Sequence, residues 1–169
     1  MVNRTLPIYR YAGRNRPHPA PVPVSDYMYK ELFTHFMSSQ DTLRIYREDS
    51  LVFSSEKERL LPLMDYLNGP ASQYRDVTVF DKVMGNAAAL LSVKAGCGEV
   101  WSPLGSELAV KTLGKYGVLY HLTKTVPYIT RPDGRRMCPM EELSIDKEPE
   151  EFYEALKTRI EAGSSADSC

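Results

Sequence analysis

The segment "RPDGRRMCPMEE" holds the most interesting single candidate for chemistry, Cys138, which follows Arg135-Arg136-Met137 and directly precedes Pro139. Proline suits the first position of a helix, and a cysteine at a helix N-terminus beside cations gains thiolate character. Cys138 is therefore a candidate nucleophile. The competing account is a buried structural cysteine that closes the turn. Arg131, Arg135 and Arg136 together either hold a phosphate or carboxylate, or form a solvated turn. Upstream, Asp81 and Lys82 follow a β-branched run. Lys82 is suited to a phosphate or a carbonyl oxygen, or to act as base or electrophile, and Asp81 to a ribose or an amine. Charged residues also cap strand ends in solvent, so both readings stand. Gly85 lets a ligand approach the backbone where the next helix offers its amides to an anion. Ser102 and Ser106 flank Pro103 and Gly105. Ser106 is a natural helix N-cap, and a ligand role for the two serines is the alternative.

Metal and disulfide chemistry find little support. The three cysteines (Cys97, Cys138, Cys169) show no C-x-x-C spacing, and an odd number argues against a disulfide framework. The three histidines (His18, His35, His121) are scattered, and no His/Cys/carboxylate cluster has ligand spacing. His121 ends an apolar strand-like run, where a satisfied structural histidine is expected. No metal and no cofactor are expected.

The elements that must position these residues begin after a distinct arm. Residues 1–24 carry five of the twelve prolines, four arginines and no acid, a pattern that excludes helix and favours extended conformations. With only four arginines the arm gives no expectation of nucleic-acid binding. The folded domain is expected over 25–162, with a frayed tail over 163–169. Its length and its 43% hydrophobic content fit one globular domain. The formal net charge of -1 attracts neither nucleic acid nor anionic membrane. No apolar run approaches the roughly 20 residues of a membrane span, and the N-terminus lacks the apolar core of a secretory signal. A cytoplasmic protein without membrane association is expected.

Within the domain, Ser25 is expected to cap a helix through "DYMYKELFTHFMSS". "TLRIYRE" and "LVFSS" then read as a hairpin, and "RLLPLMDYLNG" as a helix stopped at Asn68-Gly69-Pro70. From Arg75 the order changes to strand "RDVTVF", helix "MGNAAALLSVKAG", short strand "EVWS", helix "SELAVKTLGKYG" and strand "VLYHL". Short loops between alternating elements mean parallel strands with right-handed crossovers. "TVPYIT" is offered as one more strand, and "PMEELS" and "PEEFYEALKTRIEA" as closing helices. The architecture expected is a three-layer α/β/α domain with a mixed sheet, an N-terminal hairpin followed by parallel βαβ units. Ligands of such sheets collect beyond the carboxyl ends of the parallel strands, which selects the loops "FDKVMGN" and "SPLGS".

The blocks "VFDKVMGNAAALL", "SPLGSELAVKTLGKYGV" and "VPYITRPDGRRMCPMEE" resemble a prokaryotic family of domains of unknown function. Its members have a cytidine-deaminase-like fold and lack the zinc motif. The resemblance runs from Thr42 to Asp146 and includes Asp81-Lys82, the Cys138-Pro139 pair and Glu141. It implies a fold and a site, not a reaction. A zinc deaminase needs H-x-E or C-x-E and then P-C-x-x-C. With Pro103 on the motif proline, Leu104 and Glu107 fall on the two cysteines, and 84–88 contains no His, Cys or Glu. The expectation is a small nucleotide-like or anionic ligand bound by Asp81, Lys82, Gly85, Ser102, Ser106, Arg131, Cys138 and Glu141. Two alternatives stay open: a metal-free enzyme using Cys138 or Lys82, and a non-catalytic scaffold. Deaminase-like folds often assemble, so a homo-oligomer is also open. Elemental analysis of purified protein is expected to find no stoichiometric zinc; one tightly bound zinc per chain would overturn the reading of both motifs.

Overall fold

A computed structural model describes residues 24–163. Most of the Pro/Arg-rich arm and of the C-terminal tail lie outside the described residues. The chain runs α1 (Val24–Ser38), β1 (Leu43–Arg47), β2 (Ser50–Ser55), α2 (Leu61–Asn68), β3 (Val77–Asp81) and α3 (Asn86–Lys94). It continues with β4 (Cys97–Ser106), α4 (Glu107–Lys115), β5 (Leu119–Val126), α5 (Pro139–Ser144) and α6 (Pro149–Glu161). The result is a mixed α/β structure with an open five-stranded sheet ordered β2-β1-β3-β4-β5. β1 is antiparallel to both β2 and β3, while β3, β4 and β5 run parallel. The hairpin and both crossovers expected from the sequence are present.

Strand alternation sorts the side chains onto two faces. On one face Leu43, Ile45, Val77, Val79 and Val100 form the main core with residues of α2, α3, α4, α5 and α6. On the other, Tyr46, Phe80 and Trp101 pack against Tyr29 and Phe36 of α1. The helix α3 is buried from Asn86 to Ser92. Its Ala87-Ala88-Ala89 run suits it to a position where the sheet and the neighbouring helices must approach closely. Both α3 and α4 are followed by glycines with left-handed backbone, Gly96 (φ 74°) and Gly117 (φ 68°), which end the helices without a Cβ penalty.

Three local expectations need correction. α1 begins at Val24 rather than after a Ser25 cap. The stretch "SPLGS" is not a loop, because β4 continues to Ser106. Its Ser-Pro and Gly look like breakers, but the extension is paired on both sides. Leu104, Gly105 and Ser106 pair with Lys124, Thr125 and Val126 of β5. On the other side the Met84 N–H donates to the Leu104 carbonyl at 2.8 Å, and the Ser106 N–H to the Met84 carbonyl at 3.1 Å. "TVPYIT" adds no strand: its Thr125-Val126 belongs to β5, and only a single bridge joins Thr130 to Met137.

Phe80 is fully buried at the centre of the α1 face, with ring centroids of Tyr46 at 5.0 Å, Phe33 at 5.5 Å and Phe36 at 5.9 Å. Truncating such a ring leaves a cavity that its neighbours cannot fill. Phe80→Ala is expected to destabilise the fold by about 3–5 kcal/mol in urea denaturation. A loss below about 1 kcal/mol would mean that α1 is not packed as described.

Candidate functional site

A cavity of about 680 Å³ opens at the carboxyl ends of β3, β4 and β5, closed on the far side by the segment after β5 and the start of α5. Its walls are largely apolar, with Leu104, Val126, Ile129 and Met140 among them. Five of the residues picked from the sequence line it: Asp81, Lys82, Gly85, Cys138 and Glu141. Ser102, Ser106 and Arg131 do not.

Asp81 and Lys82 part company because successive strand side chains point to opposite faces. Asp81 shares the face of Val77 and Val79 and so reaches the cavity, only 8% exposed. Its carboxyl accepts the Val83 N–H at 3.0 Å. Burial pushes its pKa up from 3.8 to about 7, against the pull of backbone hydrogen bonds from Val83 and Lys82. Lys82 follows on the α1 side. Its ammonium donates to the carbonyls of Phe36 at 2.8 Å and Met37 at 3.3 Å, and lies 4.3 Å from the Phe36 ring centroid. A cation on the last carbonyls of a helix is favourable. Burial, and secondarily Arg44, lower the Lys82 pKa. Service as base or electrophile would require this ammonium to leave α1 and turn into the cavity.

Glu141 is the structural centre of the site. It is 1% exposed, and its Oε2 accepts the Asn86 N–H at 2.6 Å while Oε1 accepts the Ile129 N–H at 3.3 Å. α3 has no side-chain cap of its own at Gly85, so Glu141 of α5 supplies one, a carboxyl placed against a helix N-terminus. Gly85 makes this approach possible: a Cβ there would stand 2.6 Å from Glu141 Oε2 and 2.9 Å from Ile129 Cγ1. The role read from the sequence for Gly85, backbone access, is thus taken up by the protein's own carboxyl. The Asn86 amide completes the knot, donating to the Ser144 hydroxyl at 2.9 Å and its carbonyl at 3.1 Å, and accepting from the Thr112 hydroxyl.

The remaining candidates have local duties. Ser106 Oγ accepts the Ala109 N–H at 3.0 Å and caps α4. The buried Ser102 hydroxyl donates to the Leu104 carbonyl at 2.8 Å. Arg131 anchors the turn through its backbone, donating to the Arg136 carbonyl at 2.8 Å. Cys138 is buried at the cap position before α5 and is disulfide-bonded. A sulfur in a disulfide is not a free thiolate, and the bond departs from the sequence argument against disulfide chemistry. Cys97 is free but buried, which pushes its thiol up to about 12 and makes it inert at neutral pH. His121 stacks on Trp101 at 3.9 Å, its Nε2 lying 2.8 Å from Glu99, which is the satisfied structural histidine expected. Among the described residues no three His, Cys, Asp or Glu side chains come together as a metal site, and no helix is long and apolar enough to cross a membrane.

Two exposed cations that line the cavity, Arg59 and Lys124, were not anticipated. Lys124 was within reach, because alternation along β5 places it on the face of Leu122. Arg59 sits before α2, and nothing in its own neighbourhood of the sequence connects it to the distant residues of β4 and β5 that share the lining.

Residues 32–160 match the model of a domain of unknown function, DUF1893. The crystal structure of a DUF1893 family protein from Thermotoga maritima, at 2.70 Å resolution, is similar, with a TM-score of 0.71 and 22% sequence identity. The similarity covers 87% of this chain and 99% of that one, and at this identity it speaks for the fold alone. No curated protein matches the chain.

The raised Asp81 pKa gives a signed prediction. In the unfolded chain the carboxyl ionises near 3.8, in the folded protein near 7. Between these values the unfolded state has released a proton that the native state still holds. The stabilising contribution is therefore complete below the unfolded pKa and is lost as pH rises through 7, by about 4 kcal/mol in all. Asp81→Asn removes the titration. In urea denaturation across this range, the variant is expected to gain stability relative to wild type as pH rises. A difference independent of pH would show that burial does not hold the proton on Asp81.

Proposed function

The chain belongs to the DUF1893 family, and from that footing we propose that it is a zinc-less, cytidine-deaminase-like domain binding a small nucleotide-like or anionic ligand. The carrying observation is the cavity at the carboxyl ends of β3, β4 and β5, with apolar walls and the exposed cations Arg59 and Lys124 in its lining. Its volume of about 680 Å³ falls within the range of small-molecule sites. The strand order, with antiparallel β1 beside three parallel strands, supports the deaminase-like reading. So does the crossover order, since in the deaminase-like reading the starts of α3 and α4 correspond to the two motif positions. Leu104, on the position of the first motif cysteine, contributes an apolar wall instead of a metal ligand. Asn86, Ala87 and Ala88 open α3 without a group that could shuttle a proton in the manner of the deaminase glutamate.

A thermal-shift screen of the full chain against nucleotides, nucleosides and phosphosugars tests this. A ligand at about 100 times its Kd stabilises the native state by roughly 2.7 kcal/mol, a rise in Tm of about 5–10 °C for a domain of this size. Leu104→Trp, which fills the cavity, is expected to abolish the shift. A silent screen, or a shift that Leu104→Trp leaves intact, would overturn the proposal.

A further inference from the structure

The proposed site also has a polarity, set by which of its charged groups are buried and which are exposed. Its most buried charged lining groups are carboxyls, those of Asp81 and Glu141, which are only 8% and 1% exposed. Two of the groups that would welcome an anion there, the first amide of α3 and the Lys82 ammonium, are engaged elsewhere. The start of α3 is the natural anion site in such a cleft, but its first amide, the Asn86 N–H, already donates to Glu141 Oε2 at 2.6 Å. Lys82, next in sequence to Asp81, turns its ammonium to the Phe36 and Met37 carbonyls on the opposite face of the sheet. The other lining cations, Arg59 and Lys124, are exposed. The rest of the walls are largely apolar.

We infer that the ligand enters with a hydrogen-bond-donating nitrogen group innermost, an amine or amidine on an apolar body, against Asp81 and Glu141, and that any anionic part stays beside the exposed Arg59 and Lys124. The two carboxyl groups have acceptor capacity to spare. Each oxygen carries two lone pairs, and Glu141 receives one N–H on each. An anion driven to this end would meet two carboxyl groups, with the Asn86 N–H already given to one of them. The charge order along the cavity therefore selects the ligand's orientation as well as its class. The inference rests on the ligand site proposed above and adds the chemistry of its inner end.

The test compares benzamidine and benzoate, two ligands with one ring and opposite charge, by thermal shift on the full chain at about pH 8, where Asp81 is ionised. Benzamidine is expected to stabilise the protein and benzoate to leave it unchanged. Asp81→Asn and Glu141→Gln are each expected to weaken benzamidine by about tenfold, the loss of one charged partner. Two variants are used so that a folding defect in one leaves the other to decide. Stabilisation by benzoate with no response to benzamidine would overturn the inferred polarity and leave the cavity as a ligand site. Benzamidine binding that neither substitution weakens would overturn it too. Failure of both probes together with a silent nucleotide screen would instead overturn the ligand site itself.

Discussion

The arrangement turns on one hydrogen bond, from the Asn86 N–H to the Glu141 carboxyl. α3 is the helix around which α2, α4, α5 and α6 gather, and its first amides need a partner in an interior that water does not reach. The partner comes from a residue 55 positions along the chain. Asn86 then ties the same point to Thr112 of α4 and Ser144 of α5. A buried carboxyl is costly unless it is fully hydrogen-bonded, so Glu141 and the start of α3 satisfy each other or neither is satisfied. Gly85 is the steric condition for the contact, since any Cβ would occupy the space of the Glu141 oxygen.

This constraint also shapes the cavity. With Glu141 drawn to α3, the start of α5 and the segment after β5 close over the strand ends, and the Ile129 N–H is held to the same carboxyl. A helix N-terminus at the end of a parallel strand is ordinarily an invitation to an anion. In this protein the first amide is answered from within, by the Glu141 carboxyl. The sheet contributes the second half of the pattern. A period of two sends Asp81 into the cavity and Lys82 to the carbonyls of α1, separating a carboxyl from the cation beside it in sequence. Lys82 thereby fastens α1, the one described helix on its face of the sheet, to the strand end that lines the site.

The elements were legible because their signals are local. β-branched and aromatic alternation marked the strands, the alanine run marked α3, and Gly96 and Gly117 marked the helix ends. Pro139 marked the start of α5. The extension of β4 through "SPLGS" was not legible, since Ser-Pro and Gly weaken a strand locally and only pairing to β5 and Met84 restores it. The location of the cavity followed from the parallel strand order. Its lining followed less well: Ser102 and Ser106 stand near it in sequence yet use their hydroxyls within their own segments.

By itself, then, the sequence determined most of the strands and helices and that β3, β4 and β5 run parallel. These depend on residue type and short spacing. The tertiary structure alone decided the directions of side chains and the partners they meet. It turned the Lys82 ammonium to the carbonyls of α1, brought Arg59 and Lys124 into the cavity lining, and set Glu141 against α3. Those outcomes depend on contacts between residues far apart in the chain, where neither periodicity nor composition carries information and only the packed chain fixes which polar group satisfies which.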